Sequence, residues 1–281
     1  MIPARKSRWF TRFFARHAHS RITSTFGRVL VSGLADLRAS CAQGPVLVVA
    51  NHTSWWDPLV AIWLTNVVLQ VDSYAMMDAS NLRRLPFFGK VGAFGVDLAD
   101  RGDGARAVRH AARLLSVPGR VVWIYPEGRE RSPFEPLELQ PGSALVARIA
   151  REALVAAIGV RYVFGGRERP DLWIAIGRPE RPARELEVER ARQRDGITRA
   201  LAQIDGAIAR ASIDGFAVLE DTRPGALSKL AERMLAWLVR FFGGPLEPKP
   251  TLFADRELAA APDDPPRRER EYERAEKKNV G

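Results

Sequence analysis

Residues 46–60 read VLVVANHTSWWDPLV. The five apolar residues 46–50 are too few for a helix, rich in valine, and read as a strand buried on both faces. The run breaks at Asn51-His52. Pro58 suits the first turn of a helix and biases Asp57 away from helical dihedrals, so a helix should open there with Asp57 as its N-cap. The stretch is thus a strand, a loop carrying an imidazole, and a helix with a carboxylate at its mouth.

The same alternation continues outward. Residues 71–77, 92–97, 120–125, 153–162 and 172–176 carry strand-like patterns, and 58–69, 103–116 and 142–151 carry helical ones. Such alternation predicts an α/β fold, a mixed and mostly parallel sheet flanked by helices. Beyond Pro182, residues 184–213 read as a charged helix with Leu186, Ile197, Leu201, Ile204 and Ile208 inward. A second amphipathic helix covers 227–242 and stops at Gly243-Gly244-Pro245. From about Asp255 the chain is dense in mixed charge and poor in aliphatic residues, which predicts disorder. The expected organisation is N-terminal amphipathic membrane-contact helices over 1–38, an α/β core over 39–182, C-terminal helices packing on it over 183–245, and a charged tail over 246–281.

With 281 residues, 46% of them hydrophobic, the chain can bury a large core. Its one cysteine, Cys41, excludes an internal disulfide and a cysteine-rich metal site. No apolar run reaches the roughly 20 residues that span a bilayer, and no signal peptide is evident. The net charge of +10 is concentrated at the start, where the first 38 residues hold eight basic side chains and one acidic. On a helical wheel Arg5, Arg8, Arg12 and Arg16 form one stripe, with Trp9, Phe10, Phe13 and Phe14 beside it. A basic face next to an aromatic one suits a helix lying in the headgroups of an anionic membrane. Trp9, Phe10, Phe13, Phe14, Arg12 and Arg16 are the expected membrane contacts, so the protein should sit peripherally or monotopically on the cytoplasmic face of a membrane. No nucleic-acid-binding motif accompanies the charge, and nucleic acid is not an expected partner.

On one helix, residues five apart diverge by about 140°, so His52 and Asp57 meet only if His52 lies in the preceding turn. In that arrangement the carboxylate fixes the imidazole tautomer and the ring becomes an oriented general base. No G-x-S-x-G supplies a protein nucleophile, so the substrate must bring its own hydroxyl. Trp55 and Trp56 are expected mainly in the core and secondarily as the wall of an acyl channel. His110 is expected to be solvated. His17, His19 and His110 lack a zinc-binding spacing, no metal is expected, and the chain has no P-loop.

The NHTSWWD block matches the N-H-x-x-x-x-D pattern of the glycerolipid acyltransferases, the group containing 1-acylglycerol-3-phosphate acyltransferase. YPEGRERSP at 125–133 resembles their F-P-E-G-T-R-S signature, and GAFGVDLADRG at 92–102 resembles G-x-x-F-V-D-R. The likeness covers about 40–180 and keeps the motif order. It implies direct transfer of a fatty acyl group from a thioester, acyl-CoA or acyl-ACP (on an acyl carrier protein), to a lipid hydroxyl, with no cofactor. His52 would be the base and Asp57 its orienting partner, with Pro126, Glu127, Gly128, Arg129, Arg131 and Arg101 contributing to the acceptor site. The chain departs from the pattern where Leu98 replaces the arginine after V-D, and where Arg129 and Glu130 follow Glu-Gly. Those positions help bind phosphate in the family. The acceptor is therefore a lysophospholipid or a lipid alcohol without phosphate, such as a glycolipid. A non-catalytic lipid-binding protein of the same fold is the alternative.

Overall fold

A computed structural model describes residues 1–222 except 98 and 166; the helix expected over 227–242 and the charged tail lie outside the described residues. In chain order the elements are α1 (Arg8–Thr25), β1 (Arg28–Ser32), α2 (Leu34–Gln43), β2 (Val46–Ala50) and α3 (Asp57–Trp63), the last prolonged by a π turn (Leu64–Val68). Then come β3 (Asp72–Asp78), α4 (Ala79–Arg84), α5 (Phe87–Val91), β4 (Ala93–Val96), α6 (Arg101–Leu114) and β5 (Arg120–Ile124). The remainder is α7 (Gly142–Ile149), β6 (Leu154–Val163), β7 (Asp171–Ile176), α8 (Leu186–Ala209) and β8 (Ala217–Asp221). No helix among the described residues is long and apolar enough to cross a membrane.

The eight strands form one sheet in the order β4-β3-β5-β2-β6-β7-β1-β8. From β4 to β6 the pairings are parallel, β6–β7 and β1–β8 are antiparallel, and β7–β1 is parallel again. The fold is therefore the mixed, mostly parallel α/β sheet that the alternation implied. β2 shows why its valines run without a polar break. Val46, Val48 and Ala50 face the core under α1 and α3, while Leu47 and Val49 face the opposite core under α6, α7 and α8. Helices cover both faces, so both registers of the strand must be apolar.

Two strands fall inside segments expected to be built of helices. β1, RVLVS, lies inside the 1–38 segment, fully buried between β7 and β8, and the sheet therefore begins before residue 39. β8 lies inside 183–245 and covers the outer edge of β1. The helical stripe of arginines is also shorter than expected. Ser7 caps α1, and the chain before it is extended, with Ile2 and Gly95 exchanging backbone hydrogen bonds along the exposed edge of β4. Arg5 thus lies outside the helix, its N–H donating to Gly89 O.

α8 lies close on β6 because two glycines remove the side chains between them. A Cβ on Gly196 would come within 2.7 Å of Ala157 Cβ, and one on Gly159 within 2.8 Å of Leu201 N. Contact that near anchors the helix over the strand adjoining β2.

Candidate active site

β2 and β5 run side by side in parallel, so the loops at their carboxyl ends, 51–56 and 125–141, emerge together. Loops at that edge of a parallel sheet are where ligands gather. Asn51 extends the β2–β6 ladder by one side chain: its Nδ2 donates to Val160 O at 3.1 Å, and its Oδ1 accepts from Val160 N at 2.8 Å. A buried amide imitating a peptide group carries the strand one residue further and places His52 just beyond the sheet.

His52 Nδ1 lies 2.7 Å from Asp57 Oδ2. The same oxygen accepts from Thr53 N at 2.8 Å and Ser54 N at 3.0 Å, while Oδ1 accepts from the Tyr162 hydroxyl at 2.6 Å. Asp57 is buried to 1% exposure, and four donors satisfy its two oxygens. Oδ2 already accepts two N–H groups and is acceptor-only when ionised, so Nδ1 is the nitrogen that donates to it and Nε2 is the one left for a ligand.

Asp57 is not the N-cap that the Pro58 argument suggested. Trp56 is already helical at φ −70°, ψ −25°, and Asp57 is the first helical residue, its carboxylate turned back onto the loop. The helix starts early because Ser54 closes the turn, its hydroxyl accepting from Trp56 N and its carbonyl from Asp57 N. The carboxylate is thereby free to hold the imidazole.

The second loop is tied to the first at two points. Glu127 Oε2 accepts from His52 N at 2.7 Å, and Arg131 N donates to His52 O at 2.8 Å. Gly128 takes φ +73°, a left-handed turn open to glycine with little strain, and turns the chain away after Glu127. Burial raises the pKa of Glu127, against the opposing pull of the His52 N–H and Arg131. Tyr125 stacks on the imidazole with ring centroids 4.5 Å apart and donates its hydroxyl to Asp57 O at 2.8 Å. Burial first, and then the Asp57 charge, push the phenols of Tyr125 and Tyr162 well above their ordinary pKa, so both remain O–H donors.

A cavity of about 250 Å³ opens at His52. Pro126, Gly128, Ser143 and the exposed Arg129 and Glu130 line it, together with α3, α5 and the whole run Ser73–Asp78 of β3. Five steps of about 3.3 Å between the six strand residues give that wall a length of roughly 16 Å. The wall is apolar at Ala61, Ile62, Ala75, Val91 and Trp123.

The structure sorts the expected site residues. His52, Asp57, Pro126, Gly128 and Arg129 meet at the cavity mouth, Asp57 behind the ring rather than on the wall. Glu127 and Arg131 do not line it. Glu127 is spent on the loop tie, and the Arg131 guanidinium turns to Glu135 and Glu138, at 3.4 and 3.1 Å. Arg101 opens α6, but its side chain, like Leu98, lies outside what is described. Of the aromatic face, Trp9 and Phe13 stack on each other at 75% and 54% exposure, with Arg12 and Arg16 exposed beside them. Phe10 is half-buried, and Phe14 turns inward onto Phe87 and Phe88, because α1 must bury a stripe against α3 and α5. Trp56 packs edge-on against Phe26, whereas Trp55, expected in the core, is 59% exposed; neither lines the cavity. His110 is half-buried rather than solvated, edge-on to Phe94 at 4.9 Å.

Three participants escaped the sequence reading. Asn51 was visible as a polar residue directly after a buried strand. Tyr125 stood inside the second motif, where the family pattern has phenylalanine. Tyr162 ends a strand 105 residues from Asp57 and left no local signal.

This fold, with a buried His–Asp pair at the carboxyl edge of its parallel strands, is that of an acyltransferase. Residues 28–163, from β1 to the end of β6, match the family model described as Acyltransferase, and that segment is acyltransferase-like. Among solved structures it is similar to the 1-acyl-sn-glycerophosphate (LPA) acyltransferase PlsC from Thermotoga maritima, with a TM-score of 0.53 and 15% identity over 69% of this chain and 79% of that one. At that identity the likeness is one of fold. The pilus retraction motor PilT with bound ADP aligns at a TM-score of 0.31 and 13% identity, over 70% of this chain and 66% of that one, too distant to bear on the site. No curated protein sequence matches.

Proposed function

We propose that the protein is an interfacial O-acyltransferase, moving a fatty acyl group from an acyl thioester to the hydroxyl of a lipid acceptor. The observation that carries this reading is the buried Asp57 carboxylate 2.7 Å from His52 Nδ1, with the imidazole itself on the wall of a long apolar cavity. His52 Nε2 takes the acceptor's hydroxyl proton, and the oxygen attacks the thioester carbonyl. Collapse of the tetrahedral adduct breaks the C–S bond, and the departing sulfur takes the proton back from Nε2. Asp57 stabilises the imidazolium between those two transfers, as its counterpart does in hydrolase triads. The passage along β3 suits an aliphatic chain, which gains about 25 cal/mol for each Å² of apolar surface removed from water.

The acceptor meets Arg129 and Glu130 at the rim, one charge of each sign, while Arg131 is engaged elsewhere. That rim favours a lipid alcohol without phosphate, such as a glycolipid, with a lysophospholipid as the second reading. Exposed Trp9 and Phe13 flanked by Arg8, Arg12 and Arg16 support docking on an anionic membrane surface, from which both lipids would enter.

Purified protein is incubated with radiolabelled acyl-CoA or acyl-ACP and vesicles carrying lysophospholipid, glycolipid or long-chain alcohol acceptors. Labelled ester product that disappears in His52→Ala is expected. Free fatty acid alone would make the protein a thioester hydrolase, and absence of turnover with every donor would leave the non-catalytic lipid-binding alternative standing.

A further inference from the structure

The carboxylate that serves His52 is gripped from a third direction, by a strand that belongs to neither motif. We propose that Tyr162 is a positioning residue of the His52–Asp57 pair, an inference that rests on the reading of His52 as the base.

Oδ2 of Asp57 meets three donors, His52 Nδ1 and the N–H groups of Thr53 and Ser54. All three act on one atom and leave Oδ1 without a donor from the loop. A fourth donor on the other oxygen ties the far side of the carboxylate as well. The Tyr162 hydroxyl is that donor, at 2.6 Å from Oδ1. It does not line the cavity, so it reaches the chemistry only through Asp57.

The tyrosine is itself held firmly. Its ring stacks on Phe26 at 5.7 Å, and Phe26 stands edge-on to Trp56 at 5.1 Å, one residue before Asp57. Two residues upstream in β6, Val160 is clasped by the Asn51 side chain through both its N–H and its carbonyl. Asn51 is the neighbour of His52. The contacts thus close a ring from His52 through Asp57, Tyr162, Val160 and Asn51 back to His52. Such a ring fixes the sheet-to-loop distance that aims Nε2 into the cavity, and small misplacement of a base is costly to rate.

The test is Tyr162→Phe, which keeps the aromatic stack and deletes the hydroxyl. A hydrogen bond to a charged group corresponds to a loss of about 10- to 100-fold in kcat. KM for the thioester should be unchanged, because Tyr162 touches neither substrate. In protein labelled with ¹⁵N at histidine, the two ring-nitrogen shifts of His52, assigned by their loss in His52→Ala, report its tautomer. The parent should show Nδ1–H, and in Tyr162→Phe the Nδ1 shift should move as its hydrogen bond to Asp57 loosens. In an Asp57→Asn background the same substitution should add no further loss, since the pair acts as a unit.

Unchanged ring-nitrogen shifts in Tyr162→Phe would overturn the proposal, whatever happens to kcat or melting temperature. An additive loss in the Asp57→Asn background would also overturn it. Should the parent transfer no acyl group to any acceptor, the functional reading fails by itself, and the shift measurement still decides whether Tyr162 sets the ring.

Discussion

Two of the buried carboxylates, Asp171 and Asp57, face a cation or a potential cation and are built for different ends. Asp171, in β7, receives Arg28 of β1 through Nε at 3.2 Å and Nη2 at 2.7 Å, both on Oδ2. Both partners are about 5% exposed and lie within the strands, away from the cavity at His52. Asp57 lies in the first turn of a helix, and its partner keeps one nitrogen on the wall of a cavity. Both sites bury an acid. The difference lies in what faces the cavity: the Arg28–Asp171 pair joins two strands away from it, whereas the His52–Asp57 pair leaves a ring nitrogen on its wall. A buried ion pair alone therefore says little about chemistry, and the cavity beside it says much.

Substitution should separate the two pairs cleanly. His52→Ala should lower acyl transfer by about 10³-fold or more, as removal of a general base does, with the melting curve of the parent. A stopped assay of labelled ester beside a thermal melt measures both. Asp171→Ala should do the reverse. It leaves a buried guanidinium without its carboxylate, at a cost of about 3–5 kcal/mol in urea unfolding, while the fraction still folded keeps its turnover. Loss of turnover per folded molecule in Asp171→Ala, or a matching loss of stability in His52→Ala, would erase the distinction.

The same contrast explains what could be read from the chain. His52 and Asp57 are five residues apart, and the loop that joins them is local, so their meeting followed from Pro58 and the end of β2. The strands between residues 46 and 176 were legible because each is flanked by a helical pattern of a different period. β1 was not, since RVLVS sits in an arginine-rich stretch whose charge pointed to helices, and its burial depends on β7 and β8, far along the chain. β8 is short and half-exposed, with no apolar alternation to mark it. Long-range ties left no trace either: the grip of Tyr162 on Asp57, and the turning of Arg131 to Glu135 and Glu138, depend on where strands and loops come to lie. Sequence pattern exposes what a segment does to itself, and only packing exposes what one segment does to another.

A smaller effect sharpens the comparison on the cavity side. Ala75 lies on the wall, in the middle of β3. Ala75→Phe should fill the passage below the imidazole without touching the pair. Transfer from a long-chain thioester should fall by about tenfold or more, since the buried methylenes forfeited are worth about 0.8 kcal/mol each. Transfer from a short-chain donor should persist. Equal losses with both donors, measured as kcat/KM, would remove β3 from the acyl path.

The smallest effect concerns Glu127, another buried acid, whose carboxylate accepts the His52 N–H away from the cavity. Burial raises its pKa in the fold, so the ionised form is less favourable there than in the unfolded chain. The sign follows by linkage: stability from this group is full below its unfolded value and is lost as pH rises through the folded one. A glutamine keeps an oxygen that can accept the His52 N–H and does not ionise. Relative to the parent, Glu127→Gln should therefore gain stability as pH rises from 4 toward 7 and show no such gain below that range. Paired urea titrations across the range measure the difference while cancelling the other carboxylates. A gap that stays flat with pH would mean that the ionised carboxylate is as well accommodated beside His52 as it is in water.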